Sequence, residues 1–287
     1  MMWNCVETDP FKKGKAYFVG TKYKSDDFAP YLFKTEDYGK SWTKITNGIN
    51  AIHFTRALRA DKRRSGLLYC GTEYGMYISY DDGANWKPFQ LNLPMVPITD
   101  LTIKENDLIV ATQGRAFWVL DDLTPVQQKD ISILDKKLFA FSVNDVYRYD
   151  GFQISNPKNA GMNPPNGSVI NYYVKNVSDS AKVSIDILDK NKKLIKTFSN
   201  KAKQKDDKID VNAGMNQFVW NMLYPPAEKV DGQIIWHGTV PGPKAAPGQY
   251  FYKIKAYKDS VEGIFLIKAN PVFNLSHQDY EDQFNFL

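Results

Sequence analysis

The sequence has very few residues of the kinds that build metal centres or disulfide frameworks. Its 287 residues include two cysteines, Cys5 and Cys70, which do not stand at metal-ligand spacing. The three histidines, His53, His237 and His277, lie far apart in different segments. A disulfide-stapled scaffold and a zinc site are therefore excluded, and neither a metal nor any other cofactor is predicted.

Long apolar runs and strong charge of one sign are also missing. No stretch approaches the roughly 20 apolar residues that a membrane-spanning helix needs, so no membrane span is predicted. The formal net charge is +5, and the densest basic stretch, residues 190–205, alternates with apolar and amide residues. A nucleic-acid surface would need a basic face with stacking aromatics or a known motif, so no nucleic-acid partner is predicted.

Two stretches share a pattern of a hydroxyl residue, an aspartate, a glycine and a tryptophan, 44 positions apart. The first turn motif (35–42) contains Thr35, Asp37, Gly39 and Trp42. The second turn motif (79–86) contains Ser79, Asp81, Gly83 and Trp86. Aspartate and hydroxyl side chains bind backbone amides in tight turns, glycine supplies a positive φ, and tryptophan covers the sheet beneath. At this period, the pattern predicts turns that join the outer strands of four-stranded propeller blades.

The repeat extends beyond the turns. Residues 17–21 align with residues 68–72, 51 positions later, which predicts a seven-residue insertion in the first unit. A third, degenerate unit follows, in which residues 109–112 match residues 69–72. Three units cannot close a propeller, which typically has about four to eight blades. We therefore expect the sequence to be part of a longer protein, with a first unit that begins partway through a blade.

These motifs resemble the Asp-box, or bacterial neuraminidase repeat, propellers, which include sialidases, xyloglucanases and sortilin-type receptors. Residues 112–125, 163–167 and 214–220 are similar to segments of large secreted bacterial proteins labelled sortilin-like or "glycosyl hydrolase, Asp-box repeat". The resemblance covers nearly the whole chain and implies a secreted, periplasmic or cell-surface location, although the first residues lack the pattern of a signal peptide. Because enzymes and non-enzymes share this turn, the resemblance implies a fold and not an activity.

The predicted fold class is all-β. Apolar residues alternate with polar ones in strand-like runs beyond the blades, as in Val183, Ile185 and Ile187. Ser276 and Asp279 form a capping-box-like helix start. The predicted segments are a partial Asp-box propeller of about three blades (1–150), a linker (151–168), an immunoglobulin or fibronectin type III-like sandwich (169–272) and the start of a C-terminal helix (273–287).

The box aspartates Asp37 and Asp81 are predicted to be structural, because Asp-box enzymes keep their active sites on the opposite face of the blades. On that face, Asp26 or Asp27 with Glu73 could supply the two carboxylates of a glycosidase, about 5–10 Å apart. Acidic loop residues are more often only solvated, so no catalytic residue is predicted and these three remain candidates.

Four residues are candidates for ligand binding: Tyr74, Arg115, Trp118 and Trp236. Arg115, beside Trp118, could bind a ligand carboxylate or stack on a sugar, or it could fix the last blade. Trp236, in a loop rich in proline and glycine, could be a carbohydrate platform or could anchor its own loop.

The predicted function is non-catalytic binding and scaffolding within a larger secreted protein of sortilin-like type. The partners would be a peptide or carbohydrate ligand and the remaining propeller blades of the parent chain. The alternative is an Asp-box glycoside hydrolase whose catalytic carboxylates lie mostly in upstream blades. A third possibility is a chain that completes its propeller by oligomerising.

Overall fold

The computed structural model describes residues 1–149, 161–178, 180–226 and 241–286. They form two compact units, Met1–Gln127 and Gln128–Leu287. Both units consist chiefly of antiparallel β-sheets, which confirms the predicted all-β, propeller-like fold class. Within the described residues, no helix is long and apolar enough to cross a membrane.

The first unit contains three consecutive sheets. Their strands are β1 (Met2–Thr8), β2 (Ala16–Lys22), β3 (Asp27–Thr35), β4 (Thr43–Lys44), β5 (Thr55–Ala60), β6 (Leu68–Thr72), β7 (Gly75–Ser79), β8 (Lys87–Pro88), β9 (Ile98–Lys104), β10 (Asp107–Thr112) and β11 (Phe117–Leu120). A short helix, α1 (Thr124–Gln127), follows the last strand.

Each sheet is an antiparallel meander of the kind that forms a propeller blade. The first blade has the order β1-β2-β3-β4, the second β5-β6-β7-β8 and the third, in the residues described, β11-β10-β9. Strand β1 pairs with β2 from Met2 to Thr8, so the expectation that the first blade begins partway through is wrong.

The strand register corrects the predicted alignment of the first two blades. Phe18 pairs with Phe33 in the first blade, and Cys70 pairs with Tyr77 in the second. Since Phe33 and Tyr77 both lie two residues before their turn motifs, Phe18 corresponds to Cys70, 52 positions later. The predicted offset of 51 is therefore wrong by one residue, which would place every side chain of the strand on the opposite face.

Side-chain contacts support the 52-residue offset. The hydroxyl of Tyr17 donates to Asp9 at 3.0 Å, and the hydroxyl of Tyr69 donates to Asp61 at 3.2 Å. Asp9 and Asp61 each also accept two backbone amides of the loop that follows them. The same side chains thus brace the same loop in both blades.

Neighbouring blades pack through two apolar clusters. Between the first and second blades the buried residues are Tyr17, Val19, Leu32, Ile45, Ile49, Leu58, Ala60, Leu68, Cys70, Tyr77 and Trp86. Between the second and third they are Ala57, Leu67, Tyr69, Met76, Ile78, Leu93, Ile98, Leu101, Ile103, Leu108, Val110 and Leu123. The second blade, covered on both faces, is the best buried of the three.

The second unit is a two-sheet sandwich followed by a helix. Its elements are β12 (Leu138–Ala140), β13 (Val146–Tyr147), β14 (Ser168–Val174), β15 (Val183–Leu188), β16 (Leu194–Ser199), β17 (Gly214–Trp220), β18 (Gly248–Ala256), β19 (Asp259–Lys268) and α2 (His277–Phe286). One sheet has the order β12-β14-β17 and the other β13-β19-β18-β15-β16, with β13 parallel to β19. Trp220 is fully buried between them, against Tyr250 and Phe265.

The limits of the units differ from the predicted segments. Strands β12 and β13 pair with β14 and β19, so residues 138–147 belong to the sandwich and not to the segment 1–150. In the predicted linker, residues 151–160 lie outside the described part of the chain. At the C-terminal helix, the Ser276 hydroxyl accepts the backbone N–H of Asp279 at 3.2 Å, and the Asp279 carboxylate accepts the backbone N–H of Ser276 at 2.7 Å, as in a capping box.

Candidate functional site

The first turn motif is closed by a network of its own side chains. The Thr35 hydroxyl donates to the Asp37 carboxylate at 2.8 Å and accepts the backbone N–H of Gly39 at 2.9 Å. Asp37 also accepts the backbone N–H and the hydroxyl of Ser41, at 2.9 and 2.6 Å. Gly39 has a φ of +83°, which an L-residue adopts only at a cost.

The second turn motif repeats this network, with the Asn85 amide in place of the Ser41 hydroxyl. The Ser79 hydroxyl donates to Asp81 at 2.8 Å and accepts the N–H of Gly83 at 2.9 Å. Asp81 accepts the backbone and side-chain amides of Asn85 at 2.8 and 2.7 Å. The seventh position of the motif, Ser41 or Asn85, thus donates to the aspartate. The pattern of hydroxyl residue, aspartate, glycine and tryptophan leaves this position out. The short polar residues found there, Ser41 and Asn85, were a visible signal that it takes part in the turn.

The carboxylates of both motifs are saturated with donors. The hydroxyl and backbone N–H of Ser41, followed by the Thr35 hydroxyl, lower the pKa of Asp37 to about 2. Burial raises the pKa of Asp81, but the hydrogen bonds from Asn85 and Ser79 outweigh it and lower that pKa. Every one of these donors belongs to the turn itself, so the two carboxylates brace their turns and stay ionised near neutral pH.

The candidate site residues that the structure describes lie in the loops at the other end of the blades, or within two residues of them. The second turn motif joins β7 to β8, whereas Glu73 and Tyr74 join β6 to β7 at the opposite end of β7. Residues 22–29 occupy the corresponding end of the first blade, and residues 113–116 that of the third. We call this end the loop face.

Asp26 and Asp27 are not equivalent. Asp26 has a left-handed backbone, with a φ of 58°, where it ends a 3₁₀ turn. Asp27 accepts the hydroxyl of Tyr31 at 2.6 Å and the backbone N–H of Ala29 at 3.1 Å, and its carboxylate lies 3.7 Å from the Lys22 ammonium. The Tyr31 hydroxyl, then the Ala29 amide, lower the pKa of Asp27, so this carboxylate stays ionised.

Glu73 forms an ion pair with Arg56, which sequence reasoning missed. One carboxylate oxygen of Glu73, Oε2, lies against both Nε–H and Nη2 of Arg56, in a charge-assisted contact between two half-buried side chains. The Arg56 guanidinium also lies 5.1 Å from the ring centroid of Phe54. The sequence carries one signal for this pair: Arg56 is the second residue of β5, and β5 begins at the blade end where Glu73 lies.

Aromatic rings lie at the same blade end as this ion pair. Tyr23 stacks on Phe54 with centroids 5.2 Å apart, and Phe28 lies 6.1 Å from Phe54. His53 stacks on Tyr74 at 4.8 Å, and burial lowers the pKa of His53, which keeps this imidazole neutral at pH 7. The loop face of the first two blades thus carries a group of aromatic rings, of which Tyr23 and Phe54 lie against the Arg56 guanidinium.

The predicted ligand-binding residues are only partly brought together. Tyr74 is 46% exposed and belongs to this surface. Arg115 and Trp118 lie on the third blade, where the Trp118 indole donates to the Arg115 carbonyl at 2.9 Å and the exposed Arg115 guanidinium lies 3.5 Å from the Gly114 carbonyl. Trp236 lies outside the described residues.

Comparison with known proteins returns structural likenesses alone. No family model and no curated protein matches the sequence. The structure of YCF48 bound to D1 peptide is 20% identical over 42% of this chain and 36% of that one, with a TM-score of 0.31. The GH74 enzyme of Niastella koreensis is 13% identical over 60% of this chain and 28% of that one, with a TM-score of 0.34.

The GH74 xyloglucanase from Xanthomonas campestris gives similar values: 12% identity over 61% of this chain and 29% of that one, with a TM-score of 0.35. The chain therefore spans 28–36% of the length of these three structures. At such scores the likenesses carry no argument about family, ligand or activity. The assignment of the first unit as propeller-like blades rests on the strand order and the repeated turns.

Proposed function

We propose that this chain is a non-catalytic binding and scaffold region of a larger Asp-box propeller protein of sortilin-like type. The blades would present the loop face to a peptide or glycan, and the sandwich would act as a spacer or docking module. The repeated network of hydroxyl, aspartate and glycine in the two turn motifs supports the Asp-box assignment. By the same resemblance, we propose a secreted, periplasmic or cell-surface location.

The ion pair between Arg56 and Glu73 is the observation that carries the non-catalytic proposal. A glycosidase needs one carboxylic acid whose pKa is raised so that it can protonate the leaving group. Glu73 is held by a guanidinium, and the pKa of Asp27 is lowered by its hydrogen bonds. The environment of Asp27 therefore favours its ionised form, which is the opposite of what a general acid needs, and the Glu73 carboxylate is already engaged by Arg56.

Exposed aromatic rings support the binding role. Tyr74 is 46% and Phe28 is 45% exposed, and both are held in place by rings beneath them. A fixed, exposed ring offers a stacking platform for a sugar face or an apolar peptide side chain at low entropic cost. Peptide and glycan thus share the same recognition surface, and an experiment must separate them.

The proposal is tested with a glycan array and a peptide array probed in parallel. We expect the chain to bind members of one array, and Tyr74→Ala to weaken that binding at least about tenfold, or ~1.4 kcal/mol. Tyr38→Ala is the matched control, because Tyr38 is an exposed tyrosine in a turn motif at the other blade end. Failure to bind either array, or equal losses for Tyr38→Ala and Tyr74→Ala, would contradict the proposal.

A further inference from the structure

The first blade exposes a large apolar surface on the side away from the second blade. Its members, which we call the outer face, are Trp3, Val6, Phe18, Phe33 and Trp42. They line an open groove of about 360 Å³. Trp3 and Val6 are each 68% exposed, and Trp42 is 40% exposed. A contiguous apolar surface of this kind marks an interaction site.

The repeat shows which surface the outer face corresponds to. The strand register gives an offset of 52 residues, by which Val6 corresponds to Leu58 and Phe18 to Cys70. The turn motifs give an offset of 44 residues, by which Phe33 corresponds to Tyr77 and Trp42 to Trp86. All four residues of the second blade are buried, and Trp86 is 3% exposed. They are buried because the first blade packs against them.

The contacts of Trp86 define what a covering blade supplies. The Trp86 indole donates to the carbonyl of Ile45 at 2.8 Å, and its backbone N–H donates to the carbonyl of Asn47 at 2.9 Å. Both acceptors lie just beyond the fourth strand of the first blade. Trp42 lacks such a neighbour here, and its indole donates to the carbonyl of Gly39 within its own turn at 3.1 Å.

We propose that the outer face is the docking surface for one further blade, which precedes Trp3 in the intact polypeptide. That blade has a complete fourth strand followed by an aliphatic residue whose main-chain carbonyl meets the Trp42 indole, as Ile45 meets Trp86. This inference rests on the proposal that the chain belongs to a larger propeller protein. It adds the surface on which a further blade docks and the residues that make the contact.

A second copy of this chain fits the outer face less well. Head-to-tail packing would bring the third blade of one copy to the first blade of the next. In the described residues the third blade ends at β11 and has no fourth strand. It therefore offers no counterpart of Ile45 to Trp42.

One charged contact is not repeated on the outer face. Asp82, in the second turn motif, binds the ammonium groups of Lys15 and Lys34 of the first blade at 2.7 and 2.8 Å. Tyr38 stands at the equivalent position of the first turn motif. The preceding blade is therefore expected to lack this lysine pair where it meets Tyr38.

The test adds a blade to the full chain. Because Trp3 corresponds to Thr55, a copy of residues 1–54 placed directly before Trp3 reproduces the natural connection between blades. The receiving blade also carries Tyr38→Asp, so that the added lysines meet a carboxylate. We expect hydrogen exchange of the Trp42 indole N–H with solvent to slow by at least about tenfold, to a rate similar to that of the Trp86 indole, because a packed blade would bury it.

The matched control is the same tandem chain with Ile45→Asp in the added copy alone, which should return Trp42 to fast exchange. A tandem chain with an unprotected Trp42, or one whose added blade stays unfolded while the original units fold, overturns the proposal. A dimer of the natural chain that Trp42→Ser abolishes would also overturn the proposal, because a second copy of the chain would then cover the outer face. The two proposals can fail separately. If the chain binds neither the glycan array nor the peptide array but Trp42 becomes protected in the tandem chain, the binding role of the loop face is wrong and the docking role of the outer face is supported.

Discussion

Trp42 and Trp86 occupy the same position in two turns with matching hydrogen bonds, yet Trp42 is 40% exposed and Trp86 is 3% exposed. The Trp86 indole donates across the blade boundary to Ile45, whereas the Trp42 indole donates to Gly39 in its own turn. The motif therefore forms the turn without help from a neighbour. The neighbouring blade decides whether the tryptophan becomes part of a core.

Alanine at these two positions should have unequal effects on stability. We expect Trp86→Ala to lower the free energy of unfolding of the first unit by about 3–5 kcal/mol, because it leaves a cavity between two blades. Trp42→Ala should cost about 1–2 kcal/mol, since its ring is half in solvent. Urea titrations followed by amide exchange of the first unit measure both values, and equal losses would contradict this account.

The two motif glycines provide a second matched pair. Gly39 and Gly83 share a φ of +83°, so alanine at either position should cost about 1 kcal/mol of backbone strain. A Cβ at Gly83 would lie 2.5 Å from Cδ1 of Ile45, whereas a Cβ at Gly39 would have its nearest neighbour, in the Trp42 ring, at 3.7 Å. We expect Gly83→Ala to cost a further 1–3 kcal/mol or so through overpacking. Thermal unfolding of both variants checks the difference, and similar melting temperatures would argue against close packing at this boundary.

The first unit should lose stability in acid. Burial raises the pKa of Asp82, but hydrogen bonds from Lys15, Lys34 and Tyr17 outweigh it and lower that pKa below 3.8. The pKa of Asp9 is also lowered: the backbone amides of Phe11 and Lys12 are the largest of the contributions that outweigh its burial. Because the folded pKa values lie below the unfolded ones, this stabilisation is fully present above about pH 5 and is lost as pH falls through the unfolded and then the folded pKa values.

The variant Asp82→Asn isolates one part of this effect. It should cost about 1–3 kcal/mol at pH 7, because a charge-assisted contact between blades is lost. The same variant should lose less stability than the natural chain between pH 5 and pH 3. Melting temperatures across about pH 3–7 provide the comparison, and parallel curves for the two proteins would rule out Asp82 as a source of the acid sensitivity.

The blade architecture was predictable because the turn motif is a local structure. Thr35, Asp37 and Gly39 find their partners within a few residues, so their pattern alone indicates the turn. The strand register was not predictable to the residue, because the insertion between Gly20 and Thr35 shifts the alignment without changing residue types. Only the pairing of Phe18 with Phe33 fixes it.

The candidate site was predicted only in part, because its contacts join residues from different strands. Glu73 and Tyr74 were identified from their place between two strands. Arg56 and His53 were missed, since an arginine inside a strand and a lone histidine before it look like ordinary residues. Their roles depend on the antiparallel pairing of β5 with β6, which brings both to the same end as the turn.

The most direct test of the non-catalytic account is the release of reducing ends from a panel of polysaccharides that includes xyloglucan, measured on the full-length natural protein. The account predicts that Glu73→Gln, Asp27→Asn and Asp26→Asn leave any rate within about twofold of the natural protein, because none of these carboxylates acts as an acid, base or nucleophile. A fall by a factor of about 100 or more in Glu73→Gln or in either aspartate variant, with the fold intact, would contradict it and assign these blades to a glycoside hydrolase.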